Sequence, residues 1–158
     1  MIKVNVRRAS EADLDILAEL NQTVQTLHAS LYPDDFKGSV DPSAARAFFH
    51  ARLGAIVIAA IDDAPVSYLW FEEQPRPETP FAPARPRLFI HHVAVAPDAR
   101  RKGVGAALMA YVAQRALARG VREIALEAWA ANREAQQFFG AQGFAPVKVS
   151  LRKRLIAE

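Results

Sequence analysis

Polar and apolar residues alternate at the start of the chain, with Val4 and Val6 set between Lys3, Asn5 and Arg7, and this period of two predicts a strand. The period then lengthens. Ser10 and Asp13 form a capping-box pair, and behind them Leu14, Leu17, Leu20, Val24 and Leu27 recur at helical spacing, which predicts a helix over 11–28. Residues 29–40, with Pro33, Asp34, Asp35 and Gly38, read as a loop, and Asp41 with Pro42 at the first helical position opens a second helix to about residue 53. Two apolar runs, 55–61 and 66–73, flank Asp62-Asp63-Ala64-Pro65 and predict a hairpin. Five prolines (Pro75, Pro77, Pro80, Pro83 and Pro86) stiffen 74–86 into a long loop. A strand over Arg87–Val95 then feeds a glycine-punctuated turn and a helix to residue 119, capped by Gly120. A strand over 123–128, a helix over 132–142 ending at Gly143, and a closing strand over 147–156 complete the order β-α-α-β-β-β-α-β-α-β. This is a mixed α/β pattern without repeats or linkers, expected to form one domain over 1–158.

Composition narrows the function classes. At 158 residues, 51% apolar and 23% charged, the chain has the makeup of an ordinary globular protein. The net charge is only +3, yet the basic residues gather at Arg85 and Arg87, at Arg100, Arg101 and Lys102, and over 148–154, where they can steer an anion. No recognition motif accompanies them, so nucleic acid is not an expected partner. There is no cysteine, which excludes disulfides, a thiol nucleophile and thiolate metal sites, and no metal is expected. The start lacks a signal-peptide core and the longest apolar run, 55–61, is too short for a bilayer, so neither membrane association nor export is expected and the cytoplasm is the expected location.

The chemistry concentrates in Val93-Ala94-Val95-Ala96-Pro97-Asp98-Ala99-Arg100-Arg101-Lys102-Gly103-Val104-Gly105-Ala106-Ala107-Leu108. An apolar strand here passes through a basic turn straight into a helix, whose first N–H groups lack partners and carry the positive end of the helix dipole. Gly103 and Gly105 remove side chains that would hold an anion away, and the combination describes a phosphate or pyrophosphate cradle. A dinucleotide fingerprint would need a glycine where Leu108 stands, and a nucleotide-triphosphate loop would need a Gly-Lys-Ser/Thr run that is absent. The competing reading is a plain helix cap with surface arginines, which leaves Gly105 in a first helical turn unexplained.

The spacing Arg100-x-x-Gly103-x-Gly105 resembles the acyl-CoA-binding motif of the GNAT superfamily of N-acetyltransferases. Asn132-Arg133-Glu134-Ala135-Gln136-Gln137-Phe138-Phe139, followed by Gly143-Phe144, resembles that family's second signature, and Val6 to Asp13 looks like its first strand and helix start. The resemblance implies a mostly antiparallel sheet flanked by helices, in which the strand before the turn and the next strand splay apart to admit a pantetheine arm. It implies acetyl transfer from acetyl-CoA to a primary amine of a small molecule or peptide, by direct attack because no cysteine can carry the acetyl group. A non-catalytic acyl-CoA-binding or regulatory module, and a protein N-terminal or lysine acetyltransferase, are the alternatives. A homodimer stays open.

Carried over residue by residue, the resemblance gives the backbone N–H of Val93 to the acetyl carbonyl and that of Val95 to the pantetheine arm, and gives the cradle to Arg100, Arg101, Lys102, Gly103, Val104, Gly105 and Ala106. Plain strand packing accounts equally for the two valine side chains. Asn132 matches a cofactor-contacting asparagine, although a helix N-cap explains it as well. Phe139 stands where many members have a tyrosine that protonates the departing thiolate, and it cannot donate. His91 and His92 compete for the role of base. Strict alternation puts Phe89, His91 and Val93 on one face and Ile90 with His92 on the other, which favours His91. Glu72 and Glu73 are runner-up bases, and Tyr68 is a candidate acid facing the cleft. His28 and Tyr32, beside the first loop, are candidate substrate contacts, and His50 is expected to be structural.

Overall fold

The computed structural model describes residues 2–157. Its elements are β1 (Val4–Arg8), α1 (Leu14–Leu31), α2 (Pro42–His50), β2 (Ile56–Ile61), β3 (Ala64–Gln74), β4 (Arg87–Val95), α3 (Val104–Ala118), β5 (Ile124–Leu126) and α4 (Arg133–Ala141), with single 3-10 turns at Glu11–Asp13, Leu53–Ala55 and Pro97–Ala99. The strands form one sheet in the order β1-β2-β3-β4-β5. All neighbours are antiparallel except β4 and β5, which run parallel. The β2–β3 turn is tight because Asp62 and Asp63 both adopt left-handed φ angles, 49° and 66°, the twist that a two-residue hairpin needs.

Each face of the sheet carries its own core. Val57, Ala59, Leu69, Phe71, Leu88 and Ile90 pack under Val104, Leu108, Met109, Val112 and Ala116 of α3. On the other face, Ile56, Ile58, Tyr68 and Ala94 meet Leu14, Leu17 and Leu20 of α1 and Ala45 and Phe49 of α2. The apolar stripes that predict the helices are therefore the surfaces they bury. The Asp41 carboxylate accepts the Ala44 N–H at 2.9 Å to start α2. Gly120, at φ 72°, ends α3 while Val121 N–H reaches back to Ala116 O at 2.9 Å.

The expected closing strand over 147–156 does not form. Residues 144–157 carry no regular secondary structure, and none of them belongs to a strand ladder. Alternation predicts a conformation, and a strand also needs a neighbour that accepts it. Among the described residues no helix is long and apolar enough to cross a membrane.

The start of α1 depends on one buried carboxylate. Asp13 is 4% exposed, receives both Arg7 guanidinium nitrogens at 2.8 Å, and accepts the Ser10 N–H at 2.8 Å. The hydrogen bonds from Arg7 hold its carboxyl below the usual aspartate range. Because that pKa is lowered in the folded protein, the stabilisation is complete above the unfolded value of about 3.9 and is lost as pH falls through the folded one. Asp13→Asn is expected to cost about 1–3 kcal/mol at neutral pH and to flatten the loss of stability below about pH 4, as read by denaturant melts across pH.

Candidate active site

The site begins where β4 and β5 part. Their ladder covers only Leu88, Phe89 and Ile90 opposite Ile124, Ala125 and Leu126. On its other edge β4 pairs with β3 throughout, but Trp70 faces His92 while Phe71 faces Ile90, so His91 is a bulge with no opposite number. Beyond the bulge, Ala96 N–H donates to Val66 O at 2.8 Å. By ladder alternation, His92 and Ala94 also point their N–H groups at β3, whereas those of Val93 and Val95 point into the gap on the β5 side. The gap thus has a wall of unpaired backbone groups at the carboxyl ends of the two parallel strands, the usual crevice of α/β sheets.

One end of the gap is the turn into α3. Arg101 and Gly103 take left-handed φ angles of 60° and 78° on either side of Lys102, which curls successive N–H groups around a concavity. A left-handed arginine is strained, as anion clamps often are. The first helical bond of α3 is Ala107 N–H to Gly103 O at 3.0 Å, so Val104, Gly105 and Ala106 hold their N–H groups ahead of it. Among the described residues, Arg100, Arg101 and Lys102 are exposed and make no ion pair, whereas Arg85 is taken up by Glu123, Arg152 by Asp35 and Arg154 by Asp34. At the turn all three basic residues are exposed without an ion pair, whereas the clusters at 85–87 and 148–154 each commit part of their charge to a carboxylate.

The middle of the site holds the two histidines. His91 Nε2 lies 2.7 Å from Glu72 Oε2, and its ring stacks on Trp70 with centroids 4.2 Å apart. As a neutral imidazole it donates Nε2–H to that carboxylate and leaves Nδ1 to accept a proton. His92 lies in the opposite situation. It packs against Phe48, Trp70 and Tyr68, and its Nδ1 is 3.1 Å from the Tyr68 hydroxyl, which receives an Asn21 N–H at 3.0 Å. Burial, reinforced by the neighbouring His91, His28 and Arg52 charges, pushes His92 down to about 4. It is neutral at physiological pH and a weak proton acceptor.

At the far end, Tyr32 accepts the Ala131 N–H at 2.8 Å and its ring lies 4.6 Å from that of Trp129. Phe36 touches both Trp129 at 5.1 Å and His28 at 4.9 Å. This aromatic wall ties the end of α1 to the loop leaving β5. The sequence model of the acetyltransferase (GNAT) family matches residues 21–144, a span that contains the bulge, the gap, the turn and both helix starts. The chain belongs to that family.

Solved structures share the fold of this acetyltransferase. The tetramutant of the BH1408 protein from Bacillus halodurans superposes with a TM-score of 0.87 at 20% identity, covering 96% of this chain and 99% of that one. A possible acetyltransferase from Clostridium difficile 630 gives 0.74 at 16%, covering 98% and 99%. Aminoglycoside N-acetyltransferase AAC(6')-Iy in complex with CoA gives 0.69 at 20%, covering 99% and 97%. No curated protein sequence matches the chain.

Several expectations change in the folded acetyltransferase. The bulge breaks the alternation on which the choice of face rested. Val93 and Val95 pack with the α3 core, as Leu88 and Ile90 do, while both histidine rings lie against Trp70 on the α1–α2 side. Tyr68 does not face the cleft: it is fully buried against Phe49, and burial pushes its hydroxyl up in pKa. Glu73 is taken by Arg119 at 2.8 Å and leaves Glu72 beside His91. Asn132 caps α4, its Oδ1 accepting the Ala135 N–H at 3.1 Å, and Phe139 packs between Phe138 and Phe144. His50 meets Glu11 at the surface. Phe36, Trp129 and Arg52 escape a reading by motif. The signal for Trp129 was available, as a large aromatic among alanines in a short loop that no core periodicity explains.

Gly105 has a packing reason that the sequence pattern does not show. A Cβ there would lie 2.7 Å from Phe138 Cζ, so the missing side chain lets α4 approach α3. Gly105→Ala is expected to destabilise by about 1–3 kcal/mol through overpacking, seen as a lower Tm, and Phe138→Leu in the same chain should recover part of that loss.

Proposed function

We propose that this acyltransferase moves the acetyl group of acetyl-CoA to a primary amine by direct attack, with His91 as general base. The observation that carries the reading is the juxtaposition, along one bulged strand, of an oriented histidine–carboxylate pair, two outward backbone N–H groups and an anion concavity. The residues suit the co-substrate. Arg101 to Ala106 would hold its diphosphate, Val95 N–H and Asn132 Nδ2 its pantetheine arm, and Val93 N–H the acyl oxygen, where charge grows as the amine adds. Bound acetyl-CoA supplies an activated thioester carbon.

The amine must arrive with a free lone pair. Glu72 accepts from His91 Nε2, fixes the tautomer, and stabilises the imidazolium that forms when Nδ1 takes the ammonium proton. Trp70 and Phe89 hold the ring in place. The amine adds to the carbonyl carbon, the C–S bond then breaks with its electron pair leaving on sulfur, and the second nitrogen proton is lost to solvent. A thiol has a pKa of about 8.5, so the thiolate departs near neutral pH without an acid, and Phe139 can stand where a tyrosine hydroxyl would.

His28, Tyr32, Phe36 and Trp129 would receive the body of the acceptor. The nearby acids Asp34 and Asp35 are held by Arg154 and Arg152, so this wall is aromatic rather than acidic. Such a wall suits an acceptor that presents an apolar or aromatic face beside its amine. The neighbour AAC(6')-Iy, seen with a CoA-S-monomethyl-acetylneamine bisubstrate analogue, supports a small-molecule amine as the acceptor class.

Two substitutions separate chemistry from binding. His91→Ala is expected to lower kcat/KM by roughly 10²–10⁴ and leave CoA affinity unchanged, whereas Ala106→Glu, on the exposed first turn of α3, should weaken CoA by at least about tenfold with the fold intact. Thiol release across an amine panel gives the rate and calorimetry the affinity. Absence of turnover with every amine, alongside tight CoA binding, would make the chain an acyl-CoA-binding module instead.

A further inference from the structure

One half-buried guanidinium near the proposed base has no carboxylate of its own. Arg52 follows α2 in a turn fixed from both sides, its N–H donating to Phe49 O at 2.9 Å and its carbonyl accepting the Ala55 N–H at 2.8 Å. The side chain lies over the Phe48 ring, 3.6 Å from its centroid, and 5.2 Å from that of Trp70. Nη1 donates to Phe48 O at 2.8 Å. Nε and Nη2 make no hydrogen bond among the described residues, and neither is closed off from solvent. A cation at a helix C-terminus explains the bond to Phe48 O through the dipole. It leaves the other half of the guanidinium fork unused.

The surroundings of that unused half are those of the proposed reaction. Trp70 lies against both Arg52 and His91, whose ring centroid is 4.2 Å from that of the indole. His92 packs on Phe48 and Trp70, and after burial the charges of His91, His28 and Arg52 lower its pKa. Three basic side chains therefore converge on His92, from β4, from α1 and from the turn after α2. The nearby carboxylates are already committed, Glu72 to His91, Asp34 to Arg154 and Asp35 to Arg152. An acceptor that brings only an ammonium group meets an uncompensated guanidinium there, whereas one that also brings a carboxylate cancels it.

We propose that Arg52 selects acceptors that carry a carboxylate beside the amine, which makes the substrate an amino acid with an apolar or aromatic side chain. The proposal rests on the acetyl-transfer reading above and narrows its acceptor. The carboxylate would take Nε–H and Nη2–H as a bidentate pair while Nη1 stays on Phe48 O, a recognition that the planar fork of arginine suits better than an ammonium does. The amine would then lie at His91 Nδ1 and the side chain on the wall of Tyr32, Phe36 and Trp129. Because Arg52 and His91 share one indole, the two groups they bind must be close together in the acceptor, as the amine and carboxylate of an α- or β-amino acid are.

Matched acceptors with and without the carboxylate test this, phenylalanine against phenethylamine and leucine against isoamylamine. Thiol release is expected to favour the amino acid of each pair by roughly 10–100-fold in kcat/KM. Arg52→Gln, which keeps a donor for Phe48 O, should erase that preference through a higher KM for the amino acid, and Arg52→Lys should restore part of it. A wild-type enzyme that takes the plain amines equally well or better would overturn the proposal. So would an Arg52→Gln variant that loses both members of a pair alike, since a structural role leaves their ratio in place. If no amine of any kind turns over, the acetyl-transfer reading fails, and quenching of tryptophan fluorescence by phenylalanine in the CoA-saturated protein decides for Arg52. Quenching that Arg52→Gln abolishes upholds the carboxylate site, and quenching that is absent or insensitive to the substitution overturns it.

Discussion

Between Ile90 and His92, β4 carries one residue more than β3 can match, and the ladder to β5 stops at the same level. This mismatch governs the site. It preserves pairing with β3 while turning the free N–H groups of Val93 and Val95 toward the gap, and it swings His91 onto Trp70 within reach of Glu72. Without the extra residue the strand would keep one parity from Arg87 to Val95, and the outward amides and the histidine would not meet along one opening. The turn into α3 then adds a concavity at the end of the same strand, so one continuous stretch of backbone runs from the His91–Glu72 pair to that concavity.

The environment gives two adjacent histidines different work. His92, enclosed by aromatic rings and bonded to Tyr68, is held neutral and fixes the packing between the sheet and α2. His91, half-open and paired with a carboxylate, keeps one nitrogen for a proton. The Asn21–Tyr68–His92 chain satisfies every polar atom it buries there, which is the condition for polar groups inside a core. Glu72 and Glu73 diverge in the same manner, one toward the histidine and the other toward Arg119.

Local signals made much of this legible in the sequence. The limits of β4, the Asp41 cap, the left-handed Gly103 and the Asn132 cap all follow from residues within a turn of one another. What stayed hidden depends on residues far apart in the chain. No glycine or proline marks the bulge at His91, which comes from the register that β3 imposes. Gly105 answers to Phe138, thirty-three residues away, and the burial of Tyr68 to helices that precede it. The alternation over 147–156 implied a strand, but a strand is a property of a pair, and among the described residues no neighbour pairs with this segment.

The central claim is that the open edge of β4 accepts the co-substrate as a strand would. Amide hydrogen exchange of Val93 and Val95, followed by NMR with and without CoA, tests it most directly. Both amides should become protected on binding, by about tenfold or more, while those of His92 and Ala94, already bonded to β3, should change little. Saturation with CoA that leaves Val93 and Val95 exchanging as before would contradict the account.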